Sequence, residues 1–143
     1  MSIRGTVSHV DLTVTDFARA VPFYDRLLTY LGFRKSGKGV DPVWYRRYDD
    51  GGSFSIALVL ARPGSRDKQH DRYAPGLHHL AFRADSRDEV DRLHDLLREI
   101  GATVLDPPAD FSDQGYGTGY YAVFFADPDG VKLEFVHLPE KPS

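Results

Sequence analysis

Ser8-His-Val-Asp-Leu-Thr-Val-Thr-Asp16 is the stretch on which the fold turns, because its pattern occurs twice in the chain. Val10, Leu12 and Val14 alternate with His9, Asp11 and Thr13, which describes a strand with one apolar face. A helix is predicted to follow. Phe17, Val21, Tyr24, Leu28 and Leu31 recur at steps of four and three, Asp16 is placed as its N-cap, and Gly32 as its stop. Pro22 lacks an N–H, so the regular helix is expected to begin a few residues after Phe17 or to carry a kinked first turn.

The second occurrence runs from Leu77 to Ala84, where Leu80 and Phe82 stand opposite His79, Ala81 and Arg83. Ser86-Arg-Asp-Glu89 reads as a capping box. Val90, Leu93, Leu97 and Ile100 form the following helical stripe, and Gly101 ends it. His9 and His79 are 70 positions apart and Gly32 and Gly101 are 69 apart, so the two halves align with a single gap.

Strand-like runs follow each helix. They lie around Val43–Tyr48 and Phe54–Leu60 in the first half, joined by the turn Asp49-Asp-Gly-Gly52. In the second half they lie around Thr103–Leu105, Gly119–Ala126 and Val131–Leu138, with Asp127-Pro-Asp-Gly130 as a turn. Each half therefore reads β-α-β-β-β. Residues about 5–61 form the first module, about 62–76 a polar linker, and about 77–138 the second module of a single α+β domain spanning 1–143. Pro107-Pro108 through Gly119 is expected to be a long loop, placed as a lid.

Composition narrows the function classes. The chain has 143 residues, 41% hydrophobic and 27% charged, as in a globular protein. Lys and Arg number 18 against 21 Asp and Glu, a net charge of -3, which offers no overall attraction to nucleic acid. No apolar run approaches the ~20 residues of a membrane span, and the N-terminus has no signal-peptide core, so a cytoplasmic location is expected. The absence of cysteine excludes disulfides, thiolate metal sites and a catalytic thiol.

Strand parity then sorts the six histidines. With Val10, Leu12, Val14, Leu80 and Phe82 under the helices, His9 and His79 project from the opposite, open face of the sheet. In the last strand Leu133 and Phe135 are the apolar set, so Glu134 shares the face of the histidines. His78 and His137 have the wrong parity, His94 borders a helix stripe and His70 lies in the linker. Two imidazoles and one carboxylate make a facial triad that leaves positions open on divalent iron, manganese, zinc or nickel. Asp11, two residues from His9 on the same face, is a candidate general base.

The chain resembles the vicinal-oxygen-chelate superfamily, which includes glyoxalase I, fosfomycin-resistance thiol transferases, extradiol dioxygenases and bleomycin-resistance proteins. The resemblance rests on Ser8–Asp16, Pro22-Phe-Tyr-Asp-Arg-Leu-Leu28, Leu31-Gly-Phe33, Gly76-Leu-His-His-Leu-Ala-Phe82 and Phe125-Ala-Asp-Pro-Asp-Gly-Val-Lys-Leu-Glu-Phe135. It implies paired βαβββ modules whose sheets curl around one cavity, with helices outside and metal ligands matching His9, His79 and Glu134. Ala57 stands where glyoxalase-type sites add a fourth ligand, so the resemblance points to a three-ligand site. By likeness to extradiol enzymes, Tyr120 or Tyr121 supplies a tyrosine to the site, with Tyr121 as a catalytic and Tyr120 as a substrate-binding candidate. Arg83 faces the implied cavity by parity and is placed on an anionic substrate.

Two functions follow. The first is a divalent-metal lyase, isomerase, transferase or dioxygenase acting on a small substrate that chelates through vicinal oxygens. The alternative is a metal-free protein that binds an aromatic or drug-like molecule, with Trp44, Tyr45, Phe54 and Tyr116 as stacking surface. Family members with two modules commonly pair, so a homodimer is expected.

Overall fold

A computed structural model describes residues 2–36 and 41–139. Positions 37–40, inside the first expected module, and 140–143 lie outside the described residues. The chain divides into two compact units, Met1–Lys68 and Gln69–Ser143.

The first unit contains β1 (His9–Val14), α1 (Phe17–Tyr30), β2 (Arg34–Ser36), β3 (Val43–Asp49) and β4 (Gly52–Leu60). Its four strands lie in the order β1-β4-β3-β2, with β1 parallel to β4 and the other pairs antiparallel. The second unit repeats this with β5 (Leu80–Arg83), α2 (Arg87–Glu99), β6 (Thr103–Asp110), β7 (Tyr121–Ala126) and β8 (Lys132–His137), in the order β5-β8-β7-β6. Both are the expected α+β βαβββ modules. Among the described residues no helix is long and apolar enough to cross a membrane.

The helix ends follow from single side chains. The Asp16 carboxylate accepts the Ala18 N–H at 2.7 Å, satisfying a donor that the first turn leaves unpaired. Ser86 Oγ accepts the Glu89 N–H at 3.2 Å, while the Glu89 carboxylate accepts the N–H of Asp85 at 2.6 Å. The expected capping box is thus present, with its return bond one residue before the cap. Both helices stop in the same way. Phe33 N–H reaches the Leu28 carbonyl and Gly32 N–H that of Thr29; Ala102 and Gly101 do the same to Leu97 and Arg98. Gly32 (φ +87) and Gly101 (φ +70) take the left-handed conformation this cap requires.

Three expectations need correction. Helix α1 begins at Phe17 and runs through Pro22 without a break, so it does not start later. The missing N–H leaves one carbonyl of the first turns without its helical donor, and burial of the rest of the face offsets this. The buried face is Ala20, Phe23, Tyr24, Leu27 and Leu28, whereas Phe17, Val21 and Leu31 are half-buried at its margins. Pro107 and Pro108 do not open a loop; β6 continues through them to Asp110. They are tolerated because β6 is the edge strand and its pairing with β7 is broken by register shifts on either side of Asp106.

In each unit one sheet face is sealed by the helix side. Leu12, Val14, Ile56 and Leu58 are at most 5% exposed, and so are Leu133, Phe135, Val123 and Phe125. The other face carries the residues of interest.

Candidate metal and substrate site

In the first unit, register sets the open face row by row. His9 pairs with Ser55, and Ser55 with Arg46; Asp11 pairs with Ala57, and Ala57 with Trp44. Residues directly opposite in a ladder point to the same side, so all six share one face. The His9 ring meets the edge of Trp44 with centroids 6.0 Å apart. Ser8 Oγ lies 3.0 Å from His9 Nδ1, which leaves Nε2 as the outward nitrogen. Asp11 is exposed, and Ala57, fully buried between Asp11 and Trp44, presents only a methyl group.

In the second unit the open face centres on Glu134. Ala81 and Phe124 are its ladder neighbours. The Glu134 side chain is 1% exposed and its two oxygens are held separately. Oε1 stands 3.0 Å from His79 Nε2, and Oε2 accepts the Tyr120 hydroxyl. On the other side of the same ring, His79 Nδ1 lies 2.7 Å from His78 Nδ1. His79 was expected within the fifth strand; the ladder begins one residue later, because β8 offers its first partner, Leu133, to Leu80. Its parity with Ala81 nevertheless points it at Glu134.

The two adjacent tyrosines separate. Loss of hydration and the bond to Glu134 hold the Tyr120 hydroxyl well above the ordinary phenol range. Tyr121 does not join it. Its hydroxyl donates to Asp91 of α2 at 2.6 Å, Arg87 lies over its ring at 4.7 Å, and the bond to Asp91, then burial, push its pKa up to about 12. Tyr121, the expected catalytic candidate, opens β7 on the helix side, and Tyr120, the expected substrate-binding candidate, takes the side of Glu134.

Arg83 is exposed opposite Val136, which shares the face of Glu134. Three further neighbours were not picked out from the sequence. Phe124 stands edge-on to His79 at 6.3 Å, Phe111 packs on Phe124 at 5.4 Å, and Lys132 Nζ lies over the Phe124 ring at 4.6 Å. Parity counted from Glu134 identifies Lys132, but Phe124 needs the β7–β8 register. Tyr120 also faces Tyr116 across 5.1 Å.

Among the described residues no group of three or more His, Cys, Asp or Glu side chains comes together as a cluster. What is assembled is the His79–Glu134 pair. Two cis ligands on an octahedral divalent ion, each about 2.1 Å from it, are about 3 Å apart. The 3.0 Å between Nε2 and Oε1 matches that spacing, and an imidazole with a buried carboxylate is a suitable donor set.

Residues 6–135 match the family model of the Glyoxalase/Bleomycin resistance protein/Dioxygenase superfamily. The chain is 31% identical to the uncharacterized protein YqjT of Bacillus subtilis, over 90% of this chain and 95% of that one. It is 26% identical to the metallothiol transferase FosB of Lysinibacillus sphaericus, over 91% of this chain and 80% of that one. A crystal structure of a glyoxalase candidate from Bacillus halodurans superposes with a TM-score of 0.79 at 29% identity, covering 95% and 98% of the two chains.

Proposed function

Because the chain belongs to the Glyoxalase/Bleomycin resistance protein/Dioxygenase superfamily, we propose that it is a divalent-metal enzyme for a small substrate that chelates through adjacent oxygens. His9, His79 and Glu134 are the proposed ligands. The observation that carries this reading is the buried Glu134 carboxylate set 3.0 Å from the His79 imidazole. The 26% identity to a protein named a metallothiol transferase supports dependence on a metal.

A metal bound there supplies Lewis-acid polarisation of the substrate's paired oxygens. The chain's residues do the rest. Tyr120 donates to Glu134 Oε2 and so fixes the carboxylate plane with Oε1 turned to His79. With His79 Nε2 as a ligand, its one ring proton would sit on Nδ1, 2.7 Å from His78 Nδ1. Phe124 and Phe111 supply the apolar wall beside the pair. Trp44 stacks on substrate next to His9, Asp11 takes a substrate proton, and Arg83 meets an anionic substituent. Ala57, with no donor, leaves the coordination open to a bidentate ligand. The working protein is proposed to be a homodimer.

The observation favouring the metal-free binding alternative is that Glu134 is already satisfied by His79 and Tyr120. One titration separates the two. Cobalt-loaded protein should change its visible spectrum on adding acetohydroxamate, with saturation at one probe per metal. Protein that takes up no cobalt, or cobalt whose spectrum is indifferent to the probe, contradicts the open-site reading.

A further inference from the structure

Positive charge is distributed unevenly over the two faces of the first sheet. On the helix side, Lys35 pairs with Asp25 at 3.2 Å and Arg47 approaches Asp49 at 3.9 Å. On the open side, Arg34 and Arg46 are direct ladder partners of β2 and β3, and neither has a carboxylate partner among the described residues. Like charges placed directly opposite in a sheet destabilise it. A fold that matches its cations on one face and leaves two abreast on the other has an unfilled acceptor position there.

That position is also prepared. Arg46 Nε donates to Ser55 Oγ at 3.1 Å, and Ser55 is 6% exposed. A buried hydroxyl thus holds one edge of the guanidinium and leaves its terminal nitrogens for something else. The row reads His9, Ser55, Arg46, Arg34 across four neighbouring strands, all on one face. At about 4.8 Å per strand, Arg46 is about 10 Å of backbone from His9, a gap its long side chain partly closes. In the next row Trp44 adds an aromatic ring beside His9. Asp11 is the acid on this face, and Ala57 and Trp44 stand between it and the arginines in register.

We propose that the Arg46–Arg34 pair, preset by Ser55, is a subsite for an oxyanion, and that the substrate is a small acid whose anionic group docks there while its other end lies at His9. A planar guanidinium with free terminal N–H groups matches a carboxylate, phosphate or phosphonate through paired charge-assisted hydrogen bonds. This rests on the proposed function only in assigning the far end of the substrate to His9; the anion site itself needs no metal.

The test uses the full chain, stripped of metal and labelled with nitrogen-15, titrated with inorganic phosphate at constant ionic strength. The arginine Nε–H signals and the backbone amides of His9 and Ser55 are followed. Saturable shifts of Arg46 and Ser55 are expected. Arg46→Gln should raise the dissociation constant roughly tenfold, and Arg34→Gln should raise it as well. Ser55→Ala keeps every charge and should still weaken binding several-fold. Arg47→Gln removes the same charge from the opposite face and should leave the constant unchanged. Shifts that never saturate, or an Arg47→Gln effect as large as that of Arg46→Gln, overturn the proposal. Because the titration is run without metal, its failure leaves the metal reading untouched, and the failure of that reading appears separately in metal content.

Discussion

Replacing Tyr120 with phenylalanine removes one hydroxyl and leaves the ring. That hydroxyl donates to Oε2 of a carboxylate that is 1% exposed, so water does not take its place. A hydrogen bond to a charged group contributes about 1.5–3 kcal/mol, and a buried acceptor left unpaired carries its desolvation cost in full. Tyr120→Phe should therefore lower unfolding stability by about 2–3 kcal/mol. In a chain of this length each kcal/mol is worth roughly 2–4 °C, so the melting temperature should fall by about 5–10 °C. Urea unfolding followed by circular dichroism gives the stability at 25 °C directly. The same variant should bind cobalt more weakly than the native protein, because Glu134 is no longer held with Oε1 toward His79. A stability within 0.5 kcal/mol of the native value would refute the argument, since it would mean that the hydroxyl does not hold the buried carboxylate.

Other outcomes follow from the same geometry. Tyr121→Phe should cost only about 1 kcal/mol, as its bond to Asp91 is exposed, and should leave cobalt affinity unchanged in the same titration. The folded-state pKa of Tyr121 is raised, so its contribution is complete below pH 10 and is lost as pH rises through about 12, which ultraviolet titration of the tyrosines will follow. Asp110 has the opposite sign: the Ser112 hydroxyl and N–H, with Arg87, lower it to about 2. Its tie to the 111–120 segment should hold above pH 4 and loosen as pH falls toward 2, seen as a shift of the Ser112 amide signal. Leu97→Ala, at a fully buried site under α2, should cost about 2–5 kcal/mol in urea unfolding.

What could be read without coordinates was local or repeated. Alternation in Ser8–Asp16, the caps at Asp16 and Ser86, and the glycines at 32 and 101 act within a few residues, and they stand as read. Doubling of the pattern placed His9 and His79 in matching positions, and parity put Glu134 on the open face. The failures lie where distant pairing decides. Pro107 and Pro108 are compatible with a strand only because β6 has a free edge, which depends on strand order. Whether Tyr120 or Tyr121 faces Glu134 depends on where β7 begins, and shifting that start by one residue exchanges them. The placement of Phe124 beside Glu134 and of Arg34 beside Arg46 is a matter of register between strands, and no local pattern announces it.

The central claim is tested most directly by metal content. Untagged protein and five variants are loaded with one divalent metal, dialysed and analysed by inductively coupled plasma mass spectrometry alongside light scattering. The account predicts one metal per chain in the native protein, in a particle of about twice the 16.1 kDa chain mass. It predicts retention in His78→Ala and His137→Ala and loss in His9→Ala, His79→Ala and Glu134→Ala. A native protein that holds no metal, or one in which His78 is required and His79 is not, would contradict it.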